Sequence, residues 1–125
     1  MKTILITATI SGALAVMIGA FGAHGLKSLL TNNQTLDVFD KASKYHFYHT
    51  FALLFCGLWI YISKSPDTSQ IQYAAYSFLI GITIFSGSLY TLAITNIKIL
   101  GAITPLGGLG FIIGWVFLFL SFLKL

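Results

Sequence analysis

Four stretches of the chain, Thr3 to Ala23, Tyr45 to Ser63, Thr68 to Ile97 and Ile99 to Leu123, contain no aspartate, glutamate, lysine or arginine. At about 1.5 Å of rise per residue, each is long enough as a helix to cross a hydrocarbon layer of roughly 30 Å. A backbone in lipid finds no water to bond with, so such a stretch closes its hydrogen bonds within a helix. The pattern predicts an all-α, integral membrane four-helix bundle with spans at about 3–23, 46–63, 71–95 and 99–123. Spans and short connections use up the length, so residues 1–125 are expected to form a single membrane domain.

The connections carry the finer expectations. The connection from Gly25 to Lys44 is the longest, and its second half is amphipathic, with Leu36, Phe39, Ser43 and His46 on one helical face. Asp37 with Lys41, and Asp40 with Lys44, are acid-first pairs at four-residue spacing, which support an exposed helix. A short interfacial helix, lying along the membrane before turning into span two, is expected here. Ser65-Pro66-Asp67-Thr68 reads as a turn, and Asn96-Ile97-Lys98 as a tight connection. In span one, Ser11, Ala15, Gly19 and Ala23 repeat at four-residue spacing beside Ala8, Gly12, Val16 and Ala20. Small rows let helix backbones approach closely in lipid, so this face is expected to make the tightest contact of the bundle. Pro105 is expected to kink or loosen the start of span four.

Composition strengthens the membrane reading and removes other classes. The chain is 57% hydrophobic and 8% charged, where a soluble domain has about a quarter of its residues charged. All seven basic residues are lysines, and six of them stand at span ends, where they snorkel to phosphates. No basic cluster stands on a soluble face, so nucleic acid is not an expected partner; membrane lipids are. Self-association through the glycine and serine faces is a further expectation. The lysines divide three (Lys2, Lys64, Lys124) against four (Lys27, Lys41, Lys44, Lys98) between the two sides, which gives no orientation. Cys56 lies mid-span and reads as a small apolar packing residue. The Lys2 end and Ala20-Phe21-Gly22-Ala23 resemble a signal peptide, but the apolar run exceeds its usual roughly 7–15 residues, so a retained first span is expected.

Span direction gathers the unusual polar residues. His24 ends span one, His46 and His49 begin span two, Ser86, Ser88 and Tyr90 lie late in span three, and Thr104 lies early in span four. All seven fall in one leaflet and are the candidate binding residues. His46 and His49, three apart, share a helical face, and with His24 they are candidate metal or haem ligands. Against ligation, Asp37 and Asp40 are the only nearby acids, and no cofactor is expected. The absence of any acid or lysine inside a span excludes an antiporter built on a membrane carboxylate. Gly107-Gly108-Leu109-Gly110 lies in an apolar span and matches no phosphate-binding loop.

Four segments occur in order: Gly19-Ala20-Phe21-Gly22-Ala23-His24-Gly25-Leu26, Tyr45-His46-Phe47-Tyr48-His49, Phe85-Ser86-Gly87-Ser88-Leu89-Tyr90, and Leu100-Gly101-Ala102-Ile103-Thr104-Pro105-Leu106-Gly107-Gly108. In these the chain resembles the small membrane proteins grouped as domain of unknown function 423, or UPF0382, and is similar to eukaryotic transmembrane protein 256. The resemblance covers essentially the whole chain. It implies a four-span plasma-membrane protein of bacterial type, implies no reaction, and carries over no catalytic residue. Three functional readings follow. The first is a non-enzymatic lipid-contacting or assembly component. The second is a small-molecule binder or transporter with a polar pocket in the His24, His46 and His49 leaflet. The third is a histidine-ligated metal or haem redox protein.

Overall fold

The computed structural model describes residues 1–26, 28, 33–63 and 65–124. Lys27 and Lys64, two of the span-end lysines, lie outside the described residues. Among the described residues the chain is helical with no strand, and it forms four rods. The first is α1 (Lys2–Phe21), continued by a wide π-turn over Gly22–Leu26. The second is α2 (Asn33–Ile62). The third joins α3 (Ser69–Gly81) to α4 (Gly87–Thr95) through a second π-turn, Ile82–Ser86. The fourth is α5 (Leu100–Phe122).

Three rods, Lys2–Phe21, Ser69–Thr95 and Leu100–Phe122, are long and apolar enough to cross a membrane. The second is not among them: Tyr45, His46, Tyr48 and His49 dilute its apolar half. Large apolar side chains cover the outside. Met17, Ile62, Ile99, Leu106 and Phe119 are each more than half exposed.

Among the described residues the expected interfacial helix does not stand apart. It is continuous with span two in one helix of 30 residues, about 45 Å long. The cause is a buried phase that runs unbroken through Phe39, Ala42, His46, His49, Leu53 and Cys56. The Phe39 ring lies where a Gly22 Cβ would stand and meets the Tyr90 ring at 5.2 Å. The apolar face read as facing headgroups therefore packs on other helices. On the exposed side, Asp40 and Lys44 close an ion pair at 2.8 Å.

α2 packs on both α1 and the α3–α4 rod, and α5 packs on that rod while its Phe111, Trp115 and Phe122 also meet side chains of α2. The main apolar core lies at one end, around Leu53, Cys56, Ala74, Ala75, Phe78 and Phe111. The tightest seam is α3 with α5, not the small-residue face of α1. A Cβ on Gly107 would strike the Phe85 backbone, and one on Gly110 would lie 3.3 Å from Gly81. On α1, by contrast, a Cβ at Gly12 would sit 3.6 Å from Thr50, an ordinary contact. Glycine thus brings two backbones together only where the partner helix uses the space.

The connections follow their residues. Asn96 takes a left-handed conformation (φ 56°), and its N–H donates to the Leu92 carbonyl, ending α4. The Ser69 N–H donates to Asp67 Oδ1 at 2.9 Å at the entry to α3. Two hydrogen bonds from Ser69 hold the Asp67 carboxyl below its ordinary range, and Lys124, 3.7 Å away, adds to the effect. Pro105 is accommodated inside α5, which runs without interruption.

Candidate functional site

His46 is buried and bonded at both ring nitrogens. Its Nε2 lies 3.1 Å from Ser11 Oγ on α1, and its Nδ1 lies 3.1 Å from the Tyr90 hydroxyl on α4. Ser11 Oγ in turn lies 2.7 Å from Thr50 Oγ1. One imidazole therefore joins three rods through hydroxyls, groups able to donate or accept.

His49 faces elsewhere. Its Nδ1–H donates to the Tyr45 carbonyl at 2.8 Å, and its Nε2 accepts from Trp115 Nε1–H at 3.3 Å. A carbonyl only accepts and an indole N–H only donates, so these partners fix one neutral tautomer. The ring stacks on Phe111 at 3.5 Å and 10°. His46 and His49 diverge because a three-residue step leaves side chains about 60° apart around a helix. One turns toward α1 and α4, the other toward α5.

The remaining candidates divide in the same way. The buried Ser86 hydroxyl donates to the Ala42 carbonyl at 2.9 Å, fastening the second π-turn to α2. Ser88 Oγ lies 2.7 Å from Thr104 Oγ1 and 3.0 Å from the Phe85 carbonyl. Thr104 Oγ1 also lies 3.1 Å from the Leu100 carbonyl. These two hydroxyls supply two protons to three contacts and join α4 to α5. His24 is exposed on the first π-turn and takes no part in the His46 or His49 contacts. Among the described residues no three histidine, cysteine or acidic side chains gather as a metal site.

Of the seven, His46, Ser86 and Tyr90 meet at one cavity of about 330 Å³ between α1 and the α3–α4 rod. Ser11, Thr7 and Thr83 complete its polar lining. Ile10, Leu14 and Ile18 of α1 face Leu79 and Ile82 across it. Sequence reasoning used Ser11 only as a small packing residue and left out Gly87, which also lines the cleft. The four-residue step Ser11-Ala15 was legible; that Ser11 meets His46 was not. His49 borders a separate recess of about 560 Å³ with Tyr45, Phe85, Pro105 and Trp115.

Long apolar rods joined by hydroxyl–imidazole contacts define a helical membrane protein whose cleft, among the described residues, has no charged side chain. The chain belongs to the DUF423 family of proteins of unknown function, whose model matches residues 18–108. It is 44% identical to the UPF0382 membrane protein SERP0230 of Staphylococcus epidermidis, over 99% of this chain and 98% of that protein. It is 41% identical to the UPF0382 membrane protein SSP2132 of Staphylococcus saprophyticus over the full length of both. It is 40% identical to the UPF0382 membrane protein YwdK of Bacillus subtilis, over 99% of this chain and 98% of that protein. No solved structure matches it.

Proposed function

We propose that this chain is a four-span plasma-membrane protein, a single membrane domain over residues 1–125, acting as a non-enzymatic lipid-contacting component. The observation that carries this reading is how the buried polar groups of the rods are used. His46, His49, Ser86, Ser88 and Thr104 all bond to neighbouring helices or to backbone carbonyls. They fasten rods, the role that hydroxyl and imidazole groups serve between helices in lipid. Exposed Met17, Ile62, Ile99, Leu106 and Phe119 supply the lipid-facing surface. The α2 helix serves as the remaining span, with Phe51, Phe55 and Leu58 on its exposed side.

The test is the side of the membrane on which each end lies. A periplasm-sensitive reporter fused before Met1 and after Leu125 reports the same side for four crossings. Opposite sides mean an odd number and remove α2 as a span. A second reading, a binder of a small molecule, is favoured by the cleft in which His46, Ser86 and Tyr90 meet.

A further inference from the structure

Gly87 has no reason within the fold to be a glycine. Its backbone is ordinary right-handed helix (φ −60°, ψ −46°), which any residue adopts. Nothing lies within 4 Å of the position its Cβ would take. Gly101 and Gly108 of α5 would also take a Cβ at ordinary contact, 3.8 Å from Leu92 and Phe85, but other glycines of the seam would not. Gly81, Gly107 and Gly114 each stand where a Cβ would strike a ring or backbone. Gly87 opens onto the cleft between α1 and the α3–α4 rod, beside His46 and Tyr90. A side chain there would start into the cleft with its Cβ clear of other described residues. The rod also passes through a π-turn immediately before Gly87, a distortion common where helices carry function.

We propose that this cleft holds an uncharged single-chain lipid whose end is a hydroxyl or carbonyl oxygen, seated against Tyr90 and His46. This rests on the lipid-contacting reading above and adds the site and the class of lipid. Three observations choose the occupant. First, among the described residues no lysine, arginine or acid lines the cleft, so a phosphate or carboxylate head would lie there without a counter-charge. Second, its walls are the aliphatic side chains of Ile10, Leu14 and Ile82, which suit an alkyl or isoprenoid tail. Third, the volume of about 330 Å³ falls in the small-molecule range.

The floor explains why either oxygen serves. A neutral His46 has two tautomers, and both its partners are hydroxyls. With the proton on Nε2, the ring donates to Ser11 and accepts from Tyr90, whose oxygen then accepts from a lipid hydroxyl. With the proton on Nδ1, the ring donates to Tyr90, whose own proton can then go to Ser43, which also bonds that hydroxyl, or to a lipid carbonyl. His49 has no such choice, because Tyr45 and Trp115 fix its tautomer.

The experiment is a titration of the full chain in phosphatidylcholine nanodiscs with probes of similar tail and different head. Dodecanol supplies the hydroxyl, a decyl-tailed benzoquinone the carbonyl, and dodecanoate at neutral pH the charged control. Saturable binding of dodecanol or the quinone, with dodecanoate at least about tenfold weaker, is expected. Gly87→Leu should weaken the neutral probe at least about tenfold by filling the cleft, with the unfolding midpoint unchanged. Tyr90→Phe, which keeps the ring on Phe39, should weaken it about fivefold. If Gly87→Leu does not fold, Ile10→Trp blocks the cleft from the α1 wall. Equal binding of dodecanoate, no binding of either neutral probe, or full affinity in a folded blocked variant overturns the proposal. A blocked variant that changes only the self-association of the chain also overturns it, in favour of a second copy. Reporter fusions on opposite sides would instead remove the four-span reading and leave this result standing.

Discussion

The α3–α4 rod has two flanks, and glycine does opposite things on them. Toward α5, Gly81, Gly107, Gly110 and Gly114 remove side chains so that rings and backbones of the partner can move in. Toward α1, Gly87 removes a side chain and nothing in the protein moves in. The first flank is a seam and the second is a cleft. A glycine in a membrane helix is therefore not evidence of packing until its neighbour is known. Polar groups repeat the contrast, with His49 fixed against α5 and His46 bonded by switchable hydroxyls at the cleft.

The largest expected difference lies between leucines placed on the two flanks. Gly107→Leu drives a side chain into the Phe85 backbone and should cost about 3 kcal/mol or more, read by denaturant titration in micelles. Gly87→Leu should stay within about 0.5 kcal/mol of the parent. Equal losses would erase the distinction between seam and cleft. Next is His49→Ala, which strips the stack on Phe111 and leaves the Trp115 N–H without its acceptor. A loss of about 2 kcal/mol is expected from the same titration.

The architecture was legible in the sequence to different depths. Runs without charge gave the rods, because length and apolar composition are what lipid demands of a helix. The continuity of α2 was not legible. Leu36, Phe39, Ser43 and His46 make one stripe on an otherwise charged helix, and such a stripe reads alike against headgroups or against another helix. Only the Phe39 ring in the space of Gly22 decides between them. The shared end of His46, Ser86 and Tyr90 followed from span direction. Their separation from His49, Ser88 and Thr104 did not, since a three-residue spacing gives neighbouring directions on a helix and names no partner. Ser11 carried no signal beyond its size, and its contact with His46 spans 35 positions of chain.

Smaller effects sharpen the picture at single bonds. Ser86→Ala removes a hydroxyl from the Ala42 carbonyl and should cost about 0.6 kcal/mol, the usual scale for such bonds between membrane helices. A loss several times larger would mean that the second π-turn depends on that bond. The smallest effect is at the α2–α3 turn. The folded Asp67 carboxyl is held below its ordinary value of 3.8, so its ionised form stabilises the fold above that value. The contribution disappears as the pH falls through the lowered folded value. Asp67→Asn should flatten the acid limb of a melting-temperature profile by lowering the neutral value slightly, leaving the value at low pH unchanged. An unaltered acid limb would mean that Ser69 and Lys124 contribute nothing there.

The most direct measurement is lipid-phase photolabelling, read by peptide mass spectrometry. A diazirine on a long-chain alcohol, activated in bilayers containing the full chain, should label the cleft wall at Ile10, Leu14 and Thr83. It should leave the α3–α5 seam around Gly81 and Gly107 unmarked, and an excess of dodecanol should suppress the cleft labels. Equal labelling of seam and cleft, or a cleft left unlabelled, would contradict the account.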